Sequence, residues 1–183
     1  GLLLGTVVGV AAAVAGARLP LVAGAITPLV IVLAAAPIVA LFPLFARIFG
    51  YQPTTVRVLA AVMVFFPVYV FTRSGLGSAG GSIIEVVQAL GAPERRAFGL
   101  VTAPAAVPHL AAGVRIAAGT SVIAAVVGET LIGRKGLGVE FSYAYALFDM
   151  PRAFGAAVVI VATSVAVFAV AGATERALNR RWT

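Results

Sequence analysis

The sequence is poor in the residues from which catalytic and metal sites are built. It has no cysteine, which excludes disulfides, thiolate metal sites and a cysteine nucleophile. Its single histidine, His109, cannot form a histidine metal cluster alone. No Ser/His/Asp set, paired carboxylates or metal-ligand spacing points to catalysis. We therefore expect a chain that is not itself an enzyme and binds no cofactor of its own.

Charge is also scarce. Thirteen Lys and Arg and six Asp and Glu make up 10% of 183 residues, whereas 62% are hydrophobic. Soluble domains are typically about 45–50% apolar and about 25% charged, so a water-soluble fold would expose large apolar patches. The net charge of +7 does not indicate nucleic acid, because the cations are scattered between apolar runs and form no basic stripe. The composition predicts a membrane protein.

Five apolar segments are long enough to cross a bilayer, which takes about 20 residues. The second contains four prolines and is interpreted as one kinked span. The predicted spans cover residues 1–17, 23–47, 54–73, 107–131 and 153–174. The predicted fold is an all-α, polytopic membrane bundle forming one domain over residues 1–183.

The first span carries small residues at every fourth position: Gly1, Gly5, Gly9, Ala13 and Ala17. Such a stripe lets two helix backbones approach closely in lipid. The alternative is the general glycine and alanine richness of the chain. The stripe is therefore a candidate helix-packing face.

Residues 74–104, between the third and fourth spans, are too short and too polar to cross the membrane. Gly91 breaks a predicted helix, and Pro93 is suited to the first position of a second one. Pro104 is expected to end or kink that second helix. If this segment is cytoplasmic, the C-terminus lies on the same side, and seven Lys and Arg lie inside against five outside, which agrees weakly with the positive-inside rule.

This segment resembles the cytoplasmic EAA loop of permease subunits of binding-protein-dependent ABC importers. The family pattern is E-A-A, three residues, Gly, nine residues, and I-x-L-P. Glu85, Gly91 and Pro104 match it at the same spacings, and Val101 replaces the isoleucine. The departures, which alter side-chain volume at a docking surface, are Val86, Val87 and Ala103. Residues 74–104 are named the EAA-like loop.

Four further stretches resemble landmarks of the nitrate/sulfonate/taurine branch of this family. They are APIVALFPLFARIFG (36–50), GVRIAAG (113–119), VVGETLIGRKGLG (126–138) and FDMPRAF (148–154). The resemblance covers nearly the whole chain. Because family members usually have one more N-terminal membrane helix, a sixth helix is expected to be missing from the given sequence, the alternative being a natural five-helix variant.

The resemblance implies partners and their contact residues. In the family this loop supplies coupling helices that dock into a groove on a cytoplasmic ATPase subunit, which binds the ATP and Mg. The residues implied in coupling are Glu85, Gln88, Gly91, Ala92, Pro93, Arg95, Arg96 and Pro104. The alternative is an interfacial helix on the lipid, with Arg95 and Arg96 touching anionic headgroups. A second copy of the chain and an extracytoplasmic binding protein are the other implied partners.

The stretch VVGETLIGRKGLG contains the candidates for a gate or an anchor of the outer loop: Glu129, Gly136 and Gly138. A carboxylate within a span is a functional candidate by default. The alternative is a salt bridge from Glu129 to Arg134 or Lys135 at the interface. GETLIGRK only imitates a phosphate-binding loop, since Arg134 occupies the lysine position and no strand precedes it.

The remaining candidates have plain structural interpretations. His109 is expected to be an interfacial residue and not a proton relay, and Arg115 is expected to snorkel or face protein within the fourth predicted span. Tyr143, Tyr145 and Phe148 are expected to form an aromatic belt, the alternative being contact with a substrate-loaded binding protein.

The resemblance thus implies an inner-membrane permease subunit of an ATP-driven importer, acting as a homodimer on a small solute. A secondary transporter or channel without ATPases would instead need inverted repeats or buried ionisable pairs, and the sequence shows no repeat and almost no mid-membrane charge. A purely structural membrane subunit is the third alternative.

Overall fold

The computed structural model describes residues 1–133 and 135–180, without the side chains of Ile38, Ser82, Ile84 and Gln88. Within these residues every regular element is helical, which confirms the all-α prediction. The α-helices are α1 (Leu2–Arg18), α2 (Pro20–Ala35), α3 (Ile38–Phe49), α4 (Pro53–Gly77), α5 (Gly81–Ala89), α6 (Glu94–Ala97), α7 (Ala103–Ile132), α8 (Leu137–Ala146) and α9 (Met150–Asn179). A π-helical turn, Phe98–Thr102, joins α6 to α7.

Helices α4 and α7 pack against each other and form the centre of the bundle. Helix α1 covers another face of α4, and α9 packs on α7 and on the short helix α8. Val64, Val68 and Ala117 are fully buried where α4 meets α7. The outward side of α9 is apolar and exposed, as expected of a helix that faces lipid.

The small-residue stripe of α1 packs against α4 of the same chain. Gly5, Gly9 and Ala13 are buried. A Cβ added to Gly5 would be 2.5 Å from the Ala61 carbonyl oxygen, and one added to Gly9 would be 3.0 Å from Val68 Cγ1. The stripe therefore brings two backbones together, as the four-residue spacing predicts.

The proline-rich second segment differs from its prediction. One kinked span was expected over 23–47, but two helices, α2 and α3, meet at a bend of 112°. Ala36 and Pro37 are both extended, with ψ angles of 126°. A residue before proline is disfavoured in the α region, so the helix ends there instead of bending through it.

Among the described residues, three helices are long and apolar enough to cross a membrane: α4, the continuous stretch Glu94–Ile132, and α9. The pair α2 and α3 makes a fourth if it counts as one broken span, and α1 is a shorter apolar helix of 17 residues. Helices α7 and α9 have 30 residues each, or about 45 Å, which exceeds the hydrocarbon thickness of about 30 Å. The count of five spans stays a prediction.

Candidate functional site

The first helix of the EAA-like loop, α5, has an exposed apolar face. Ile83 is 55% exposed, Val86 is 59% exposed, and Leu90, directly after the helix, is 82% exposed. Helix α5 packs against α6, and Glu85 is exposed beside this face. The backbone of Gln88 belongs to α5, but its side chain is among those not described. The loop thus presents apolar side chains to the outside of the bundle.

Gly91 ends α5 as predicted. Its φ of 82° lies in the left-handed region, and the N–H of Ala92 donates to the Val87 carbonyl at 3.3 Å. This six-residue hydrogen bond across a left-handed glycine is a Schellman motif. A Cβ added to Gly91 would meet nothing within 4 Å, so the glycine is required by its backbone conformation and not by lack of space.

Pro93 precedes the second helix by one residue. It caps α6 instead of occupying its first position, and its carbonyl accepts from the N–H groups of Arg96 and Ala97 at 2.8 and 3.2 Å. Arg95 and Arg96 are exposed, whereas Ala97 is buried. The short helix therefore turns its two cations outward.

The sequence predicted that Pro104 would end or kink the second helix, and the first of these alternatives is wrong. The chain is helical from Glu94 to Ile132, and Pro104 lies at the start of α7. The N–H of Ala103 donates to the carbonyl of Phe98, five residues back, which widens the turn ahead of the proline. A widened turn gives the proline ring room in a helix that it would otherwise break. The EAA-like loop is therefore one short helix followed by the start of a span.

The entry to the EAA-like loop also differs from its predicted boundary. Helix α4 continues to Gly77 instead of ending near residue 73. Gly75 is buried, and an added Cβ would be 2.7 Å from the Cβ of His109. His109 is half-buried against α4, where its Nδ1 has no hydrogen-bond partner among the described residues. Its role is thus in packing between α4 and α7.

Arg18 connects α1 to the same region. Its guanidinium lies 4.3 Å from the centroid of the Phe98 ring, a cation–π contact. A cavity of about 250 Å³ is lined by Arg18, Glu94, Arg95 and Phe98. Sequence reasoning missed this contact, since residues 18 and 98 are joined only by the fold.

Glu129 binds the start of α8. Its Oε2 accepts from the backbone N–H of Gly138 at 3.1 Å. Gly136 has a φ of 136°, and a Cβ there would overlap the Glu129 carboxylate; one on Gly138 would overlap the Val126 carbonyl. Within the described residues Glu129 makes no ion pair with Lys135, and Arg134 lies outside them. Glu129, Gly136 and Gly138 therefore all take part in the contact between the end of α7 and the start of α8.

An ion pair that the sequence did not predict joins α7 to α9. Arg115 Nη1 lies 3.2 Å from Glu175 Oε2, with side-chain exposures of 38% and 16%. The Arg115 guanidinium also lies 4.4 Å from the centroid of the Phe168 ring. Gly172 leaves space for it, since an added Cβ would be 3.4 Å from Arg115 Nε. Arg115 therefore faces protein, one of its two predicted alternatives.

The aromatic side chains near α8 are exposed. Tyr143, Tyr145 and Phe148 have exposed fractions of 57%, 59% and 83%. Tyr145 stacks on Phe141 with ring centroids 6.0 Å apart. These exposures are compatible with both predicted roles, an interfacial belt and contact with a partner.

At the far end of α7 from the EAA-like loop, a cavity of about 710 Å³ opens between α1, α4 and α7. Sequence reasoning did not find it, because its wall comes from three helices and the turn before α8. The lining residues are Gly1, Leu2, Pro53, Val56, Arg57, Ala60, Ser121, Ala125, Glu129, Ile132 and Lys135. Across residues 1–133 and 135–180, no group of three or more His, Asp or Glu is placed to hold a metal ion.

Comparisons with known proteins agree with this membrane architecture. A family model described as "Binding-protein-dependent transport system inner membrane component" matches residues 5–183. The riboflavin transport system permease protein RibX of Chloroflexus aurantiacus is 34% identical over 156 residues, which are 85% of this chain and 58% of that protein. The formylaminopyrimidine transport permease protein ThiX of Halalkalibacterium halodurans is 34% identical over 130 residues, 71% of this chain and 52% of that protein.

A third relative is the putative aliphatic sulfonates transport permease protein SsuC of Bacillus subtilis, 31% identical over 102 residues, 56% of this chain and 37% of that protein. The chain thus spans a little over half the length of the first two relatives. Because the family model covers nearly the whole chain, this multi-pass membrane protein belongs to the family of inner membrane components of binding-protein-dependent transport systems.

Proposed function

We propose that this chain is the membrane-spanning permease subunit of an ATP-driven importer in the cell membrane. Two copies form a pathway for a small solute that a binding protein delivers from outside. The observation that carries the proposal is the EAA-like loop: an exposed apolar helix, α5, ends before the left-handed Gly91 and is followed by α6, which is continuous with the span-length helix α7. Family membership supports the same function.

The partner at the EAA-like loop is a cytoplasmic ATPase subunit. Ile83, Val86 and Leu90 provide apolar contacts that would be unfavourable if left in water. Glu85, Arg95 and Arg96 are exposed charges that set the register of docking. Since α6 continues into α7, movement of the docked ATPase moves a membrane helix directly.

The topology follows from this partner. The EAA-like loop and the C-terminus are cytoplasmic, and the turn that leads into α8 faces outward. Residues 1–183 form one permease domain with five crossings, α2 and α3 together making one broken span.

Glu129, Gly136 and Gly138 anchor α8 to the outer end of α7. The supporting contact is the hydrogen bond from Gly138 N–H to the Glu129 carboxylate. Glu129→Gln retains an acceptor, whereas Glu129→Ala removes it. Faster hydrogen exchange in α8 for Glu129→Ala than for Glu129→Gln is the expected result; equal exchange in the two variants would argue against an anchor.

The solute is small. The named relatives are described as transporting riboflavin, formylaminopyrimidine and aliphatic sulfonates, and all three are small organic molecules. The chain resembles these proteins over part of their length, and this supports a small organic solute.

A secondary transporter or channel without ATPases is the second candidate. One observation favours it: the Arg115–Glu175 pair is the kind of ionisable pair within apolar helices that such proteins use. The pair lies close to the end of α9, about one turn before Asn179, which suits a helix clamp better than a mid-membrane relay.

The decisive test is whether a cross-linker placed in the EAA-like loop reacts with the ATPase subunit. A photo-cross-linker replaces Val86, and the matched control replaces Val165, an exposed residue on the outward side of α9. We expect a cross-link to a nucleotide-binding subunit from position 86 alone, and solute uptake by reconstituted vesicles that requires ATP. Cross-links to lipid only, or uptake without ATP, would contradict the proposal.

A further inference from the structure

Phe98 lies where the EAA-like loop joins the bundle. It begins the π-helical turn between α6 and α7, and its carbonyl accepts the wider hydrogen bond from the N–H of Ala103. Its side chain is half-buried and packs against the core cluster that includes Leu76 of α4 and Ala106 of α7. A displacement of α6 therefore acts on the bundle through this ring as well as through the helical backbone.

Arg18, the last residue of α1, makes a further contact with this ring. Its guanidinium lies over the Phe98 ring, 4.3 Å from the centroid. A cation in the last turn of α1 is also favoured by the negative end of the helix dipole. Glu94 and Arg95 line the same cavity, but no carboxylate lies within salt-bridge distance of Arg18 among the described residues. The guanidinium is therefore positioned by the aromatic ring and not by an ion pair.

The contact reaches helices that the continuous stretch Glu94–Ile132 does not include. Helix α1 packs mainly on α4 and α2. Leu19 alone separates α1 from α2. Gly16 brings the two helices together, since an added Cβ would be 3.5 Å from Ala23 Cα. A force on Arg18 therefore acts on α1 and α2 as a pair.

We propose that Arg18 is a positioning residue that links the EAA-like loop to α1 through the Phe98 ring. Movement of α6 is then passed to α1 and α2 as well as to α7. The inference rests on the proposed function, which supplies the ATPase that moves α6. A cation on an aromatic ring can also do no more than stabilise the fold. The two roles differ in one measurable quantity, the solute transported per ATP hydrolysed.

The test uses the complex of the full-length chain with its ATPase subunits, reconstituted in vesicles of zwitterionic lipid and again with anionic lipid added. Arg18→Gln should lower the solute transported per ATP hydrolysed while the ATPase still co-purifies. Arg18→Lys keeps a cation for the ring and should restore the wild-type ratio. Arg47→Gln removes an exposed arginine from the last turn of α3, and this matched control should also have the wild-type ratio.

Hydrogen exchange in the same complex measures the contact itself, without ATP or solute. An exposed cation–π contact contributes about 0.5–1 kcal/mol, which is about two- to fivefold in an equilibrium constant. Backbone amides of residues 94–102 should therefore exchange about two- to fivefold faster in Arg18→Gln. Phe98→Leu keeps an apolar side chain and should give the same increase. The double variant should exchange no faster than either single variant, because both changes remove one contact.

Three results would overturn the inference. A wild-type ratio of solute to ATP in Arg18→Gln would leave Arg18 with a packing role only. Additive effects of Arg18→Gln and Phe98→Leu on exchange would show that the two side chains do not act together. A defect confined to vesicles with anionic lipid would assign Arg18 to lipid headgroups.

Failure of the proposed function would give a different result. The wild-type complex would then take up solute without ATP, whereas the exchange measurement would still report the contact between Arg18 and Phe98. ATP-dependent uptake by the wild type, with an unchanged ratio in Arg18→Gln, would contradict the role of Arg18 alone.

Discussion

At the scale of single residues, two glycines of this chain are needed for opposite physical reasons. Gly91 has a left-handed φ of 82° and open space around an added Cβ, so only its backbone conformation is demanding. Gly5 has ordinary helical geometry, but an added Cβ would lie 2.5 Å from a carbonyl oxygen of α4. Substitution is therefore expected to alter the turn at Gly91 and the helix packing at Gly5.

Gly91→Val is expected to misplace α5 while leaving the membrane helices folded. A β-branched residue in the left-handed region costs about 1–2 kcal/mol, so the turn moves to another conformation. Co-purification of the ATPase should fall and uptake by reconstituted vesicles should be lost. Gly81→Val, also in open space but without positive φ, is the control and should retain both. Normal co-purification with normal substrate-stimulated ATPase activity in Gly91→Val would refute the role of this turn.

Gly5→Leu is expected to destabilise the bundle itself. The side chain would overlap α4, and overpacking of this kind typically costs about 1–3 kcal/mol. The measurement is the melting temperature of the purified protein in lipid nanodiscs. Gly24→Leu is the control, because an added Cβ at Gly24 meets nothing within 4 Å. Equal melting temperatures of the two variants would show that α1 does not pack closely on α4.

At the scale of elements, proline has different effects at two places in the chain. Pro37 separates α2 from α3, with extended residues and a bend of 112°. Pro104 is carried inside a continuous helix, because the π-helical turn before it makes room for the ring. The second arrangement joins the EAA-like loop to α7 without a flexible linker. Displacement of α6 must therefore displace α7.

The Arg115–Glu175 pair is expected to clamp α9 to α7. Glu175→Gln leaves the Arg115 charge among apolar helices and should cost about 1–3 kcal/mol, less than a fully buried pair because Arg115 is partly exposed. The double variant Arg115→Met with Glu175→Leu should recover part of the loss. Thermal unfolding in nanodiscs measures both, and Glu140→Gln, which breaks the exposed pair with Arg152, should change stability much less. A double variant no more stable than Glu175→Gln would mean that the two side chains are not coupled.

At the scale of the whole molecule, one helical stretch connects the two candidate sites. From Glu94 to Glu129 the chain runs through α6, the π-helical turn and most of α7, about 50 Å at 1.5 Å per residue. The EAA-like loop lies at one end and the cavity at the other. If the proposed function holds, an ATPase docked at the EAA-like loop would act on the same helical stretch that lines the cavity.

The EAA-like loop and the end of α9 are expected on the same side of the membrane, because α7 and α9 make two crossings between them. Residues 1–183 contain no cysteine, so an introduced cysteine is the only one among them. In intact cells, Glu85→Cys and Arg180→Cys should resist a membrane-impermeant thiol reagent, whereas Tyr145→Cys should react. Opposite accessibility at positions 85 and 180 would exclude the topology.

Much of this architecture was predictable because it depends on local properties. Scarce charge and long apolar runs indicate membrane helices, whatever their partners. The helix break at Gly91 was predicted correctly, since it depends on one residue that tolerates positive φ. The break at Pro37 was not predicted, because a proline either kinks or ends a helix, and which of the two occurs depends on whether the neighbouring turns can adapt. For the same reason the sequence left two effects of Pro104 open, an end or a kink, and the end does not occur.

The sequence by itself determined the lipid environment of the helices, the helical class, the turn of the EAA-like loop and the family. Each of these is fixed by composition or by residues close together in the chain. Only the tertiary structure decided which side chains meet: Arg115 with Glu175, Arg18 with Phe98, and Glu129 with Gly138. It also decided that Arg57 and Lys135 line one cavity. Such contacts depend on which helix faces pack and at what depth, and helical periodicity does not specify either.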